Sequence, residues 1–321
     1  MTTPTASTAT SRAPHADPVA QPFVLPQFGI FAQGTHAHHF LELDLNAGVT
    51  AAEAVGALRA LGTPDVAAGG VNLVVAFGAE TWRSVSPDGA PADLASFRQV
   101  TGRDGRTAPA TQHDAWVWIS GAEPDVTWHS ARAAAEAVGA AAHVAAEQTA
   151  FTYHGGRDIT GFVDGTANPP DRRAPEVALV PPGRPGAGGS HVLAMRWLHD
   201  LPAFDKLPVA AQERVIGRTK ADSVELPADR KPRDAHIARV ETSVDGREVE
   251  ILRRSVPFGT AQAYGLYFVA FSAERDRYDR LLARMFGATD DGVHDRLTDF
   301  SRPTSGAYYF APSLTALDAV H

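Results

Sequence analysis

Cysteine is absent from all 321 residues. That excludes disulfides, thiolate metal ligands, iron–sulfur clusters and any cofactor attached through a C-x-x-C-H thioether motif. A basic surplus is missing as well: 29 Lys and Arg face 37 Asp and Glu, a net charge of −8. Nucleic acid and anionic membrane surfaces are therefore not expected partners, since both call for a basic face. No apolar run approaches the length of a membrane span, so no transmembrane helix is expected. The opening MTTPTASTATSRAPHADPVAQP has neither a twin arginine nor the apolar core of a signal peptide. It reads as a disordered tail over residues 1–24, and the cytoplasm is the expected location.

What is present is an ordinary globular composition, 44% hydrophobic and 21% charged, in a chain long enough for two domains. Phe28–Leu45 alternates in places as a strand does. Thr50 caps a short amphipathic helix to Leu61, with Gly62 as its stop. Val71–Phe77, bounded by glycines, has the pattern of a buried strand, and Trp116–Ile119 reads as another. Ala131–Ala146 is rich enough in alanine to predict a helix. In the second half His191–Trp197, Val249–Arg253, Leu266–Phe271 and Tyr308–Phe310 read as strands. Val209–Ile216 reads as a helix, and a second one, capped by Ser272, carries Tyr278, Leu281, Leu282, Met285 and Phe286. Val75–Glu80 (VAFGAE) echoes Val269–Glu274 (VAFSAE), although six residues do not establish a duplication. Two halves alternating strands and helices fit an α+β pair of domains with antiparallel sheets, joined by the Pro- and Gly-rich stretch Pro169–Ser190.

The most informative segment is Asp158-Ile-Thr-Gly-Phe-Val-Asp-Gly-Thr-Ala-Asn-Pro169. Asp-Gly is a common turn dipeptide, and a purely structural turn is the commoner meaning of Asp164-Gly165. The other reading is that Gly161 and Gly165 let the backbone bend tightly enough to hold the Asp164 carboxylate against a flat ligand, as an acid–base group. Thirteen histidines supply candidate metal ligands, most of them expected at the surface or satisfied in the core. His36, His38 and His39 lie close in sequence, but a solvated strand end accounts for them without a metal.

Gly161–Thr166 matches the G-x-x-D-G motif of the dye-decolourising peroxidases, and Asn168-Pro169 continues it. Val74–Trp82 (VVAFGAETW), Ile216–Lys220 (IGRTK), Ile251–Gly259 (ILRRSVPFG), Gly265–Phe271 (GLYFVAF) and Gly306–Leu314 (GAYYFAPSL) resemble B-class segments of that family in the same order. The resemblance runs from about Phe28 to Leu314 and is more specific than the motif alone. It implies two ferredoxin-like domains with peripheral helices, residues 25–160 and 161–321, the second binding haem b non-covalently.

By the same resemblance His236, in Arg233-Asp-Ala-His-Ile-Ala-Arg239, is the proximal ligand of haem iron, with Asp295 the favoured partner of its other nitrogen and Asp299, one helical turn on, the alternative. Asp164 and Arg253 become the distal acid–base group and cation. Ser255 joins them from the same strand face, whereas Arg254 points away as a solvated charge. Leu266 and Phe268 correspond to the apolar distal wall, or equally to ordinary sheet core. Arg218 corresponds to a partner for a haem propionate, or to a helix-surface arginine. The five tryptophans and six tyrosines could relay electrons, but such spacings also suit core, and none is singled out. The implied activity is reduction of hydrogen peroxide coupled to one-electron oxidation of small organic donors such as dyes, phenolics or porphyrinogens, by a homo-oligomer. The alternative from another class is a haem-binding or haem-carrier protein without significant turnover.

Overall fold

The computed structural model describes residues 24–62, 70–244 and 246–320. The expected tail lies, up to residue 23, outside the described residues. After a 3-10 turn at Phe28–Phe31, the first half runs β1 (Ala37–Leu45), α1 (Ala51–Arg59), β2 (Asn72–Phe77), α2 (Ala79–Val85), the hairpin β3 (Val100–Thr101) and β4 (Thr107–Ala108), β5 (Ala115–Gly121), α3 (Pro124–Val138) and β6 (Ala142–Phe151). The second half begins α4 (Ala174–Ala178), β7 (Ser190–His199), α5 (Leu201–Phe204), α6 (Val209–Ile216), α7 (His236–Val240) and the hairpin β8 (Ser243–Val244) and β9 (Arg247–Glu248). It continues β10 (Leu252–Arg253), β11 (Val256–Gly259), β12 (Tyr264–Ser272), α8 (Asp276–Met285), a 3-10 turn (Arg296–Asp299), β13 (Ser301–Pro303), β14 (Ala307–Ala311) and α9 (Leu314–Asp318).

The main strands of both halves follow one plan. The first half orders them β2-β5-β1-β6 and the second β10-β12-β7-β14, so that each places its second, third, first and fourth strands side by side. With antiparallel pairing and helices on one face, this is the ferredoxin-like α+β topology expected from the sequence. The VAFGAE and VAFSAE echo ends β2 in one half and β12 in the other, a second and a third strand, so the two copies do not occupy equivalent places.

The halves form one sheet of ten strands, joined where Phe310 of β14 meets Phe77 of β2. The sheet curls until Gln148 on β6 accepts a 2.8 Å hydrogen bond from Arg196 on β7. Period-two alternation then sends one set of side chains inward and the other towards the helices. Inward lie Phe40, Trp116, Trp118, Tyr267, Phe271 and Tyr309. Among them Glu42 accepts from the hydroxyls of Tyr309 (2.7 Å) and Tyr267 (3.3 Å), and burial pushes its carboxyl above the usual carboxylate range. Outward, Leu41, Leu43, Val75 and Val117 meet α1 and α3, while Leu193, Met195 and Trp197 meet α8.

Local signals explain several element ends. Thr50 and Glu53 form a reciprocal capping box at the start of α1, as the sequence suggests. Gly217 closes α6 with φ +94°, a conformation that favours glycine. Three expectations need correction. The alanine-rich helix ends at Val138, and Ala142–Phe151 is strand β6 paired along β1, because sheet pairing outweighs the intrinsic preference of alanine. Ser272 ends β12 and receives the Glu274 amide in a turn, so α8 starts later, after Arg275. Of Val249–Arg253 only Leu252–Arg253 is strand.

Candidate active site

A cavity of about 1080 Å³, its open mouth included, lies on the helical side of the second half's sheet. Its floor is a set of cross-strand neighbours: Leu266 opposite Trp197 and Phe268 opposite Met195, with Leu193 beyond. Leu281, Leu282, Met285, Ile216 and Leu297 close it from the helices, so the walls are chiefly apolar. An apolar ligand suits such walls.

His236 opens α7 and lines this cavity. Its Nδ1 lies 2.6 Å from Oδ2 of Asp295, whose side chain is fully buried. The other carboxylate oxygen, Oδ1, accepts from the amide of Leu297 at 2.9 Å. Both Asp295 oxygens are thus engaged, which fixes the imidazole and leaves Nε2 as the nitrogen available to the cavity. Asp299 turns elsewhere and pairs with Arg106 and His294. The geometry therefore distinguishes the two aspartates that the sequence left open.

Asp164 and Arg253 line the same cavity. Gly161 (φ +88°) and Gly165 (φ +78°) flank the Asp164 turn in the left-handed region, and the Gly165 amide donates to Oδ1 of Asp164 at 2.7 Å. Arg253 lies at the end of β10, opposite Ala270. A residue the sequence reading passed over joins the two. The Asn168 side chain accepts from the Arg253 amide (2.8 Å) and donates to the Arg253 carbonyl (3.0 Å), stapling the motif loop to the arginine strand. Its only signal was its place in the longer form of the motif.

Ser255 and Arg218 sit outside the cavity wall. Ser255 interrupts the strand, and its Oγ receives the Val269 amide at 3.3 Å. Arg218 bonds Glu241 (3.1 Å) and the Ser223 carbonyl (3.2 Å), while its Nε is buried without a partner among the described residues. Arg254 is not a solvated charge. It lies over the Trp118 ring, 5.8 Å from its centre, and burial pushes its guanidinium down from the usual arginine value. Of the three clustered histidines only His36 is exposed at the strand end, as expected. His38 and His39 are buried within β1, and burial, aided by the charge of Arg254, lowers His38 to about 4. Among the described residues no three His, Asp or Glu side chains converge as a metal cage.

Five further polar side chains line the cavity without having been anticipated: Asp158, Thr160, His199, Thr298 and Ser301. A second cavity adjoins the first, sharing Val240, Ile251, Arg253 and Leu281 and edged by Glu241, Glu248 and Glu250.

Residues 27–152 match the profile of the N-terminal domain of Dyp-type peroxidases and residues 155–316 that of the C-terminal domain. A dye-decolorizing peroxidase of Mycolicibacterium paratuberculosis is 35% identical over 314 residues, covering 95% of this chain and 88% of the relative. A dyp-type peroxidase protein from Shewanella oneidensis superposes with a TM-score of 0.87 at 31% identity, over 92% of this chain and 98% of that one. A variant of DypB from Rhodococcus jostii RHA1, solved in complex with heme, does so with a TM-score of 0.82 at 34% identity, over 89% and 96% of the two chains. Fold, cavity and both halves of the sequence agree: this chain belongs to the Dyp-type peroxidase family.

Proposed function

We propose that this peroxidase binds haem b non-covalently in the cavity, with His236 as the proximal ligand of its iron and Asp164 and Arg253 on the open face. The observation that carries the reading is the donor set: of the two histidines in the cavity wall, His199 has both nitrogens bonded to Ser301 and Asp158, whereas His236, backed by a buried carboxylate at 2.6 Å, offers its Nε2 between chiefly apolar walls. A single available imidazole suits a metal whose other positions are filled by a macrocycle. The relative solved in complex with heme supports the choice of cofactor. When bound, haem supplies the two-electron reduction of peroxide and the one-electron oxidation of donors.

The residues of the chain do the rest. Asp295 accepts the Nδ1 proton of His236, fixing the tautomer and strengthening Nε2 as a donor. Oδ1 of Asp164 is held by the Gly165 amide, so its other oxygen is the one to take a proton from one oxygen of hydrogen peroxide and return it to the other. Arg253 stabilises the negative charge on the departing oxygen. Leu266 and Phe268 keep bulk water from the reacting oxygens. Arg218 would exchange its Glu241 partner for a propionate, and Ser255 would steady the sheet beneath Arg253 through Val269. Small organic donors would reach the site through the adjoining cavity. The division at residues 160 and 161, a homo-oligomeric state and a cytoplasmic location complete the reading.

The test is a stopped-flow spectrum of the reconstituted protein with hydrogen peroxide. Asp164→Asn and Arg253→Leu should each slow the reaction by about 100-fold or more, the range for a lost proton-transfer or charge-stabilising group. His236→Ala should lose haem. Wild-type rates in both distal variants would refute the roles assigned to them, and turnover of a dye no faster than with free haem would favour the carrier reading.

A further inference from the structure

The His199 ring links two parts of the cavity wall. It sits at the end of β7, directly opposite Ser301 of β13 in the sheet register. Nδ1 lies 2.8 Å from the Ser301 hydroxyl, and Nε2 lies 3.2 Å from Oδ1 of Asp158. The His199 and Ser301 side chains are buried and that of Asp158 is nearly so, and all three line the cavity. The connectivity superficially suggests a Ser-His-Asp nucleophile. In that arrangement Nε2 faces the serine and Nδ1 the carboxylate, and here the two nitrogens are exchanged. A load-carrying role fits better.

Asp158 is the pivot of the turn that leads to Asp164. Its carbonyl accepts from the Gly161 amide (2.8 Å), and its amide donates to the Phe162 carbonyl (2.9 Å). Its second carboxylate oxygen, Oδ2, accepts from both the amide and the hydroxyl of Thr160. Burial works to raise the Asp158 carboxyl, and the hydrogen bond and charge of His199, with the bonds from Thr160, outweigh it and hold it below the usual range. Beyond the turn, the Asp164 amide donates to the Gly156 carbonyl at 3.0 Å. Asp158 and Thr160 thus carry much of the bonding that sets the course of residues 158–164, with the Arg157 guanidinium adding a 2.7 Å bond to the Gly161 carbonyl. His199 is the side chain that fastens Asp158 to the sheet.

We propose that His199 is a positioning residue for the peroxide reaction, holding the Asp158 turn, and through it the Asp164 carboxylate, at a fixed place over the sheet floor. This rests on the assignment of Asp164 as the proton-transfer group. A displacement of about 1 Å at a reacting group costs on the order of 100-fold in rate.

The experiment compares His199→Leu, which loses both bonds, with His199→Gln, whose amide can still donate to Asp158. Two quantities are read: the second-order rate of the haem-loaded protein with hydrogen peroxide, and amide hydrogen exchange of residues 158–165 with and without haem. His199→Leu should slow the peroxide reaction by about 10- to 100-fold. It should also speed exchange in that loop alone, with haem content unchanged, and His199→Gln should recover most of both. Asp158→Asn, which keeps the turn but drops the charge, should fall between, and it replaces His199→Leu should that variant not fold. Wild-type rate and exchange in His199→Leu would overturn the proposal. So would equal slowing in Leu and Gln accompanied by haem loss, the pattern of a general packing defect. Asp164→Asn run in parallel separates the two claims: if it reacts at the wild-type rate the proton-transfer assignment fails, while the exchange measurement still judges the strut.

Discussion

Replacing Asp295 probes the bond on which the imidazole depends. The carboxylate is fully buried, 2.6 Å from Nδ1 of His236, and its other oxygen caps the Leu297 amide. Asp295→Ala leaves an N–H of the ring and a backbone amide without their present acceptors. A hydrogen bond to a charged group contributes about 1.5–3 kcal/mol. At about 1.4 kcal/mol per factor of ten, loss of the His236 bond alone predicts haem bound about 10- to 100-fold more weakly, the range known for removal of a ligand's outer partner. The loss should be greater for ferric than for ferrous iron, since the carboxylate stabilises positive charge. Each factor of ten in that preference raises the one-electron reduction potential by about 59 mV. Transfer of haem to an excess of apomyoglobin reads the first quantity, and spectroelectrochemistry the second. Asp295→Asn, which keeps an acceptor, should lie between. Wild-type haem retention and potential in Asp295→Ala would refute the idea that this carboxylate tunes the imidazole.

Asn168→Ala removes both bonds to the Arg253 backbone and should cost about 1–3 kcal/mol in chemical denaturation, while slowing the peroxide reaction, because each bond contributes about 1 kcal/mol. His38, lowered by burial to about 4 against an ordinary 6.5, is taken up neutral on folding. The unfolded chain then binds the proton first, so stability should fall as pH drops from about 6.5 towards 4, and His38→Phe should flatten that slope in thermal melts. Gly265→Ala should prevent or severely weaken folding, since a Cβ there would sit 1.8 Å from the Trp197 carbonyl oxygen of the neighbouring strand; soluble yield and circular dichroism report it.

The fold was legible wherever the signal was local. Thr50 with Glu53, the apolar run into Phe77 and the stripe of α8 each carry their own pattern. It failed at β6, where alanines that favour a helix are claimed by the free edge of β1 through contacts that no local window contains. The site followed the same rule. His236, Asp164 and Arg253 were found through resemblance, and the cavity does bring them together. His199 and Asn168 were not, because a histidine at a strand end and an asparagine in a turn look ordinary until their partners, 41 and 85 positions away, are known. Arg254 was misjudged for a related reason. Strand alternation does send it away from Arg253, but the curled sheet makes that direction an interior, not solvent.

Every side chain around the large cavity comes from the stretch between Asp158 and Ser301. The twin halves therefore carry unequal duties. Among the described residues the earlier one lends the pocket only Asp158 and Thr160, at its very end, yet its Trp116, Trp118 and Phe40 cover the reverse side of the strands that form the pocket floor. Cut away, it would leave Tyr267, Val269 and Phe271 bare to water, a broad greasy face prone to clumping. The amino-terminal partner acts as a permanent lining, and its inner residues are bound to the fate of a reaction they never meet.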